Sequence, residues 1–176
     1  MLLNPFYLLL NRRKHQVNSE IRQPTQSDTA SLKEIIDLSF PRFFRYFASH
    51  SVLDLDEPVF VADIESAIAG FVKIIEFNVG HAKYGCILWI AVHPTYRRRG
   101  IALALTNAAV TYLKEHGAEA VFASTQRGNK GALATLGKAG FGRMGFLALW
   151  RLFGWRLFGF YSDIWYAPTE IVLMRS

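Results

Sequence analysis

The sequence is poor in cysteine and in long apolar runs, and each scarcity excludes a class of protein. Its 176 residues contain one cysteine, Cys86, so the chain cannot form an internal disulfide. This usage fits a reducing compartment and favours a cytoplasmic location. No stretch is apolar over the roughly 20 residues that a membrane-spanning helix needs. Three nearby carboxylates, Asp54, Asp56 and Glu57, lack the glycine and the spacing of a calcium loop, so we predict no metal site.

Acidic residues are also fewer than basic residues. The chain has 14 Asp and Glu against 20 Lys and Arg, a formal net charge of +6. This excess favours an anionic partner, although a solvated basic surface without a partner is equally compatible with it. Because 51% of the residues are hydrophobic and 19% charged, the composition is that of a folded domain rather than a disordered chain.

Residues 1–19 are predicted to be an arm or linker, and residues 20–176 a single domain. Met1–Leu10 is apolar, and the basic residues Arg12, Arg13 and Lys14 follow it. A secretory signal has its positive charges before the apolar run, so this order argues against one. We interpret the segment as a flexible arm, with a partner or a membrane surface as the alternative contact.

The most informative stretch begins with the apolar run Ile87–Val92. This run predicts a strand buried on both faces, which His93 and Pro94 end. Three arginines and a glycine follow, and a helical pattern then opens at Ile101. A helix start has free N–H groups and partial positive charge, and it therefore suits an anion such as a diphosphate. The small residues Gly100 and Ala102 leave its backbone accessible.

Two segments resemble the GNAT superfamily of acyl-CoA N-acyltransferases. The residues Arg97-x-x-Gly100-x-Ala102 match its Gln/Arg-x-x-Gly-x-Gly/Ala signature, and Asn129 to Phe141 is similar to its Asn-x-x-Ala…Gly-Phe helix. The resemblance covers roughly residues 20–175. It implies an α/β fold (mixed α+β): a single domain with a mixed, mostly antiparallel sheet, in which two central parallel strands splay apart and helices flank the sheet.

The resemblance also implies a cosubstrate, acetyl-CoA, and an amine acceptor. The strand would hydrogen-bond the pantetheine, with the Val92 N–H polarising the acyl carbonyl, and the arginine turn would bind the diphosphate. The Asn129 helix would contact the cofactor near its far end. The implied cofactor-binding residues are Ile90, Ala91, Val92, Arg97, Arg98, Arg99, Gly100, Ile101, Ala102, Asn129 and Ala132.

The chain departs from the family pattern where an acid or base is expected. Cys86 stands on the fourth strand in place of Glu or His, Ser124 stands on the fifth in place of Glu, and Leu136 replaces a Tyr in the second motif helix. An attacking amine must lose a proton and the thiolate must be stabilised, so other groups are candidates. The candidates are Cys86, Tyr161, Asp163, Tyr84 and Glu76. His93 is interpreted as structural or exposed.

The remaining pattern predicts alternating helices and strands. Asp28 is predicted to cap a first helix, and Phe43, Phe44 and Phe47 lie on a second, either in the core or at the acceptor site. The other predicted elements are a hairpin of residues 59–64 and 68–77, a fourth strand of residues 83–92, a helix from Ile101 to a C-terminal cap at Gly117, and strands at residues 120–123 and 170–174.

An aromatic segment, residues 146–166, contains an immediate repeat, with Trp150–Gly154 followed by Trp155–Gly159. A period of five fits neither a helix nor a strand cleanly. Three interpretations stay open: a hydrophobic hairpin or lid beside the acceptor site, a homodimer contact, and a contact with a membrane surface.

The leading hypothesis is an N-acetyltransferase that moves an acetyl group from acetyl-CoA to a primary amine, such as a protein N-terminus, a lysine or a small amine. One alternative is a GNAT-like acyl-CoA sensor without turnover, which the missing acid/base residues favour. Another is a basic module associated with membranes or nucleic acid. Nucleic acid is the less favoured partner, because CoA is itself an anion and accounts for a basic site.

Overall fold

The computed structural model describes residues 19–54 and 58–176. The predicted arm, apart from residue 19, lies outside the described residues, as do Asp56 and Glu57 of the acidic loop. None of the helices within the described ranges is long and apolar enough to cross a membrane.

The described chain forms one seven-stranded sheet in the order β1-β2-β3-β4-β5-β7-β6. Every neighbouring pair is antiparallel except β4 and β5, which are parallel. This confirms the predicted mixed fold. The strands are β1 (Glu20–Arg22), β2 (Val59–Ile64), β3 (Ala67–Val79), β4 (Ala82–Val92), β5 (Ala120–Gln126), β6 (Gly142–Met144) and β7 (Glu170–Arg175). The short edge strand β6 was not predicted.

Helices cover both faces of the sheet. They are α1 (Thr29–Ser39), α2 (Arg42–Val52), α3 (Ile101–Glu115), α4 (Lys130–Lys138), α5 (Phe146–Phe153) and α6 (Leu157–Asp163). Alternate strand residues enter different apolar clusters: Val121 packs with residues of α3 and α4, whereas Phe122 packs with residues of α5 and α6. Since successive side chains of a strand point to opposite faces, α3 and α4 cover one face and α5 and α6 the other. Helix α1 and helix α2 share the second face through Phe71.

Asp28 occupies the N-cap position of α1, as predicted, but its side chain does not accept from the first-turn amides. Its carboxylate accepts a hydrogen bond from Thr25 N–H at 2.8 Å and pairs with Arg22 at 2.7 Å. Arg22 also pairs with Asp63 of β2 at 2.8 Å. The Arg22 hydrogen bonds lower the pKa of Asp28 to about 2, so this carboxylate is ionised at neutral pH. The ion pairs therefore join β1, β2 and the start of α1.

The aromatic repeat forms two short helices, α5 and α6, joined by a turn at Gly154, where φ is +56°. A five-residue period fits a helix poorly, yet the repeat lies within helical turns. Five residues advance a helix by about 500°, which leaves equivalent residues about 140° apart. Accordingly Phe153 is buried whereas its repeat partner Phe158 is 72% exposed. Gly154 interrupts the helix, so the two copies pack with different faces against the sheet.

Candidate active site

The parallel strands β4 and β5 separate part of the way along their length. Their pairing runs from Tyr84 with Ala120 to Ile87 with Ala123. In the pairing of β4 with β3, Ile87 and Trp89 lie opposite consecutive residues of β3. Leu88 between them has no partner and is a bulge residue. Beyond it β4 continues to Val92 and β5 to Gln126 without mutual pairing. The sheet therefore opens into a gap between the ends of these strands.

The backbone of Val92 faces this gap. The next amide, His93 N–H, donates to Ala69 O of β3 at 2.9 Å. Successive amides of a strand point to opposite edges, so Val92 N–H points away from β3 and towards β5. Arg97 Nε donates to Val92 O at 3.0 Å on the same edge. The geometry leaves a backbone donor at the gap, in the position from which it was predicted to polarise an acyl carbonyl.

The turn after β4 leads into helix α3, and no side chain among the described residues caps this helix. Arg98 and Gly100 have φ values of +63° and +85°, and α3 begins at Ile101. The first helical bond is from Ala104 N–H to Gly100 O, and no side chain caps the helix. Among the described residues, no group accepts from the amides of residues 98–103. These donors, with the positive end of the helix dipole, suit a diphosphate.

The three arginines of the turn have different surroundings. Arg97 bonds Val92 O and also lies 3.4 Å from Ser39 Oγ, so it holds the turn against β4 and α1. Arg99 lies over the ring of Tyr96, with its Cζ 5.4 Å from the centroid. No carboxylate within the described ranges pairs with Arg98 or Arg99. These two exposed cations remain available to an anionic ligand.

Asn129 caps α4. Its Oδ1 accepts from Ala132 N–H at 3.1 Å, so the two predicted cofactor residues of this helix bond to each other. Leu136, which replaces the expected Tyr, is buried in the cluster shared with α3. Asn129 therefore fixes the start of α4, and the predicted cofactor contacts of Asn129 and Ala132 stay predictions.

Cys86 lies in the core and is a poor candidate for catalysis. Its side chain is 1% exposed, among residues of β5 and of helices α5 and α6. Burial, followed by the charge of Glu170, raises the pKa of the thiol. The thiol is therefore protonated at neutral pH and is neither a base nor an exposed nucleophile.

Other sequence candidates lie away from the gap. Glu76 pairs with Lys83 at 2.6 Å, near the turn between β3 and β4 and thus at the opposite end of the strands. Tyr84 is buried at the first paired position of β4 and β5. His93 directly follows Val92, and its ring contacts Thr95 Oγ1 within the same turn at 2.6 Å. Glu76 and Tyr84 are therefore far less suited to proton transfer than groups beside the gap.

Tyr161 belongs to a small cluster on the α5 and α6 face of the sheet. Its ring stacks on Tyr166, with centroids 4.5 Å apart. Burial and then the neighbouring Tyr166 raise the pKa of Tyr161, so its phenol is protonated at neutral pH and can only donate a proton. Asp163, in contrast, is exposed.

The same cluster contains a carboxylate that the sequence analysis missed, Glu170. It is the first residue of β7 and pairs in register with Gln126, the last residue of β5. Tyr166 Oη donates to Glu170 O at 3.2 Å, and Ala167 N–H donates to its Oε2 at 3.3 Å. The signal available in the sequence was a carboxylate, Glu170, at the first residue of the predicted last strand.

An aromatic wall extends this side of the gap. Trp89 of β4 contacts Phe40 and Phe44, with ring centroids 5.3 and 6.3 Å apart. Phe47 of α2 contacts Trp165, which follows α6, at 6.1 Å. These rings connect the elbow between α1 and α2 with the segment before β7. Phe43 is not part of the core, because 71% of its side chain is exposed.

The comparisons with known proteins agree with this geometry. The model of the Acetyltransferase (GNAT) family matches residues 21–141. An N-alpha-acetyltransferase of Sulfurisphaera tokodaii is 29% identical in an alignment of 132 residues that covers 69% of this chain and 78% of the relative.

Solved structures share the fold. Ard1 from Thermoplasma volcanium superimposes with a TM-score of 0.67 at 21% identity, covering 90% of this chain and 97% of that one. The PaiA N-acetyltransferase from Thermoplasma acidophilum, solved with coenzyme A, gives 0.66 at 13% identity, covering 90% and 99%. The chain belongs to the GNAT family and is an acetyl-CoA-dependent N-acetyltransferase.

Proposed function

We propose that the acceptor of this enzyme is the α-amino group at the N-terminus of a polypeptide. Two observations support the proposal. The Sulfurisphaera tokodaii relative is an N-alpha-acetyltransferase. The wall formed by Phe44, Phe47, Trp89 and Trp165 offers apolar surface to the first side chain of a peptide. A cytoplasmic location, where newly made chains are present, is part of the same proposal.

The cofactor side of the mechanism rests on backbone donors and two arginines. Bound acetyl-CoA supplies the activated thioester. The free amides at the start of α3, with Arg98 and Arg99, hold its diphosphate. Val92 N–H donates to the acyl oxygen, where negative charge develops as the amine attacks. Holding acyl group and amine in the gap between β4 and β5 provides further acceleration through orientation.

Proton transfer on the acceptor side is assigned to Glu170 and Tyr161. An α-amino group is partly protonated near neutrality and must lose a proton to react. Glu170 accepts this proton, directly or through water. Tyr161, whose pKa burial raises above its ordinary value, stays protonated at neutral pH and serves as a donor to the leaving thiolate. This pair replaces the Glu and Tyr that the family motifs place on other elements.

The experiment is a rate comparison on matched acceptors. We expect acetylation of a peptide with a free N-terminus, and at least about tenfold lower kcat/KM for the same peptide blocked at its N-terminus but bearing an internal lysine. Mass spectrometry locates the acetyl group. Preferred acetylation of the lysine, or of a small amine, would contradict the proposal. Acetyl-CoA binding without transfer to any of these acceptors would favour the sensor alternative.

Removing the proposed base provides a second prediction. We expect Glu170→Gln to lower kcat by about 10²- to 10⁴-fold, because a positioned base contributes that much, with little change in the Kd of acetyl-CoA. The control is Glu119→Gln, at the other end of β5, where the side chain is exposed. Equal activity of the two variants would exclude Glu170 as the base.

A further inference from the structure

Helices α5 and α6 present an apolar surface to solvent. One side of both helices packs on the sheet through Leu149, Phe153, Leu157 and Phe160. The residues on the opposite side therefore point outwards. Among these, Leu147, Trp155 and Phe158 are 71%, 75% and 72% exposed. Five of these exposed residues together are called the aromatic face: Phe146, Leu147, Trp150, Trp155 and Phe158.

The rings of the aromatic face do not shield one another from solvent. Phe146 and Trp150 stack with centroids 6.0 Å apart, yet they stay 60% and 41% exposed. Trp155 contacts the guanidinium of its neighbour Arg156, whose Cζ lies 5.9 Å from the ring centroid. Exposed aromatic rings packed this closely indicate a surface that binds a partner.

The charges around this face are mainly basic, with Asp163, the exposed last residue of α6, as the exception. Between Glu119 and Asp163 the chain has six Lys or Arg residues and no Asp or Glu. Three of the six, Arg143, Arg151 and Arg156, lie on β6, on α5 and between α5 and α6, and all three are exposed. No carboxylate within the described ranges pairs with them. A matching partner must be apolar at its centre and anionic around it.

We propose that the aromatic face docks on the surface of an anionic lipid bilayer. Tryptophan and phenylalanine rings bind at the boundary between headgroups and acyl chains, and arginines beside them contact lipid phosphates. Both helices are too short to cross a bilayer and lie flat on the sheet, so the contact is peripheral.

A second copy of the chain matches this face less well. In a two-fold dimer the same patch meets itself, so Arg151 and Arg156 would approach their own copies, and Asp163 at the end of α6 is the one carboxylate of the two helices. An anionic bilayer instead complements the three arginines around the face. The inference is independent of the acceptor proposal, because the residues of the aromatic face have no part in the acetyl transfer described above.

The experiment is flotation of the full-length protein with two kinds of vesicle. One kind contains phosphatidylcholine alone, and the other contains phosphatidylcholine with roughly one third phosphatidylglycerol. We expect binding to the anionic vesicles, weakened by salt, and at least about tenfold weaker partitioning of the double variant Trp155→Ser/Phe158→Ser. Both substitutions replace exposed rings, so the variant is expected to fold, as acetyl-CoA binding will show.

The matched control is Phe43→Ser/Tyr46→Ser, which removes two aromatic side chains of α2 that are 71% and 67% exposed. We expect the control to retain vesicle binding. Equal loss in both variants, or undiminished binding of the Trp155 and Phe158 variant, would overturn the proposal. So would a stable dimer that does not bind anionic vesicles and that the Trp155 and Phe158 substitutions dissociate, because the occupant would then be a second copy.

Discussion

Gly100→Glu is expected to weaken acetyl-CoA binding by on the order of 100-fold or more. Gly100 precedes α3 with a φ of +85°, and no atom of residues 19–54 or 58–176 lies near the position of an added Cβ, so a side chain there extends away from these residues, beside the free amides. A carboxylate facing a bound diphosphate at about 4 Å costs about 4 kcal/mol at a protein surface. Isothermal titration calorimetry with acetyl-CoA measures the loss.

The chain provides a matched control for this variant in Gly117. It follows the other end of α3 and has a φ of +87°, and an added Cβ there likewise meets no atom of the described part of the chain. Gly117→Glu therefore introduces the same charge and nearly the same backbone strain, away from the gap. We expect its Kd for acetyl-CoA to stay close to that of the wild type. Similar losses in both variants would mean that strain, not the diphosphate site, explains the effect.

Substitutions at Gly85 and Leu113 are each expected to lower the free energy of unfolding strongly. When they are combined, the two losses are expected to compensate in part. A Cβ at Gly85 would lie 2.6 Å from both terminal carbons of Leu113, which is fully buried where α3 packs on β4. We expect Gly85→Ala to cost about 1 to 3 kcal/mol through overpacking, and Leu113→Ala about 2 to 5 kcal/mol through the cavity it leaves. In the double variant the new methyl enters that cavity.

Urea unfolding of the two single variants and the double variant measures this coupling. We expect the double variant to lose at least about 1 kcal/mol less free energy of unfolding than the sum of the single losses, because residues in contact are not additive. Strict additivity would contradict the packing described here.

Much of the cofactor side was predictable from sequence. A β-rich apolar run, a basic glycine turn and a helix pattern are local signals, and the structure has β4, the turn and α3 in that order. The splay of β4 and β5 followed from family resemblance, and the register confirms it, since pairing stops at Ile87 and Ala123. The sequence did not distinguish the three arginines, because only the fold places Arg97 against Val92 O.

The residues of the acceptor side could not be predicted from the sequence, because contacts between distant parts of the chain bring them together. Cys86 looked like a candidate because of its strand position, but the packing of α5 and α6 buries it and keeps its thiol protonated. Glu170 was overlooked for the converse reason: nothing nearby in sequence shows that the first residue of β7 lies beside the end of β5. Burial and register are properties of the assembled sheet and are invisible in a local pattern.

The sequence by itself determined the family, the order of the strands and helices around the gap, and the basic turn, since hydrophobic period, glycine positions and charge are local properties. The tertiary structure alone decided which side chains are available for chemistry or contact. It buried Cys86, brought Glu170 beside the end of β5, and turned Trp155 and Phe158 outwards while burying Leu157 and Phe160. The physical reason is that accessibility depends on packing between segments far apart in the chain.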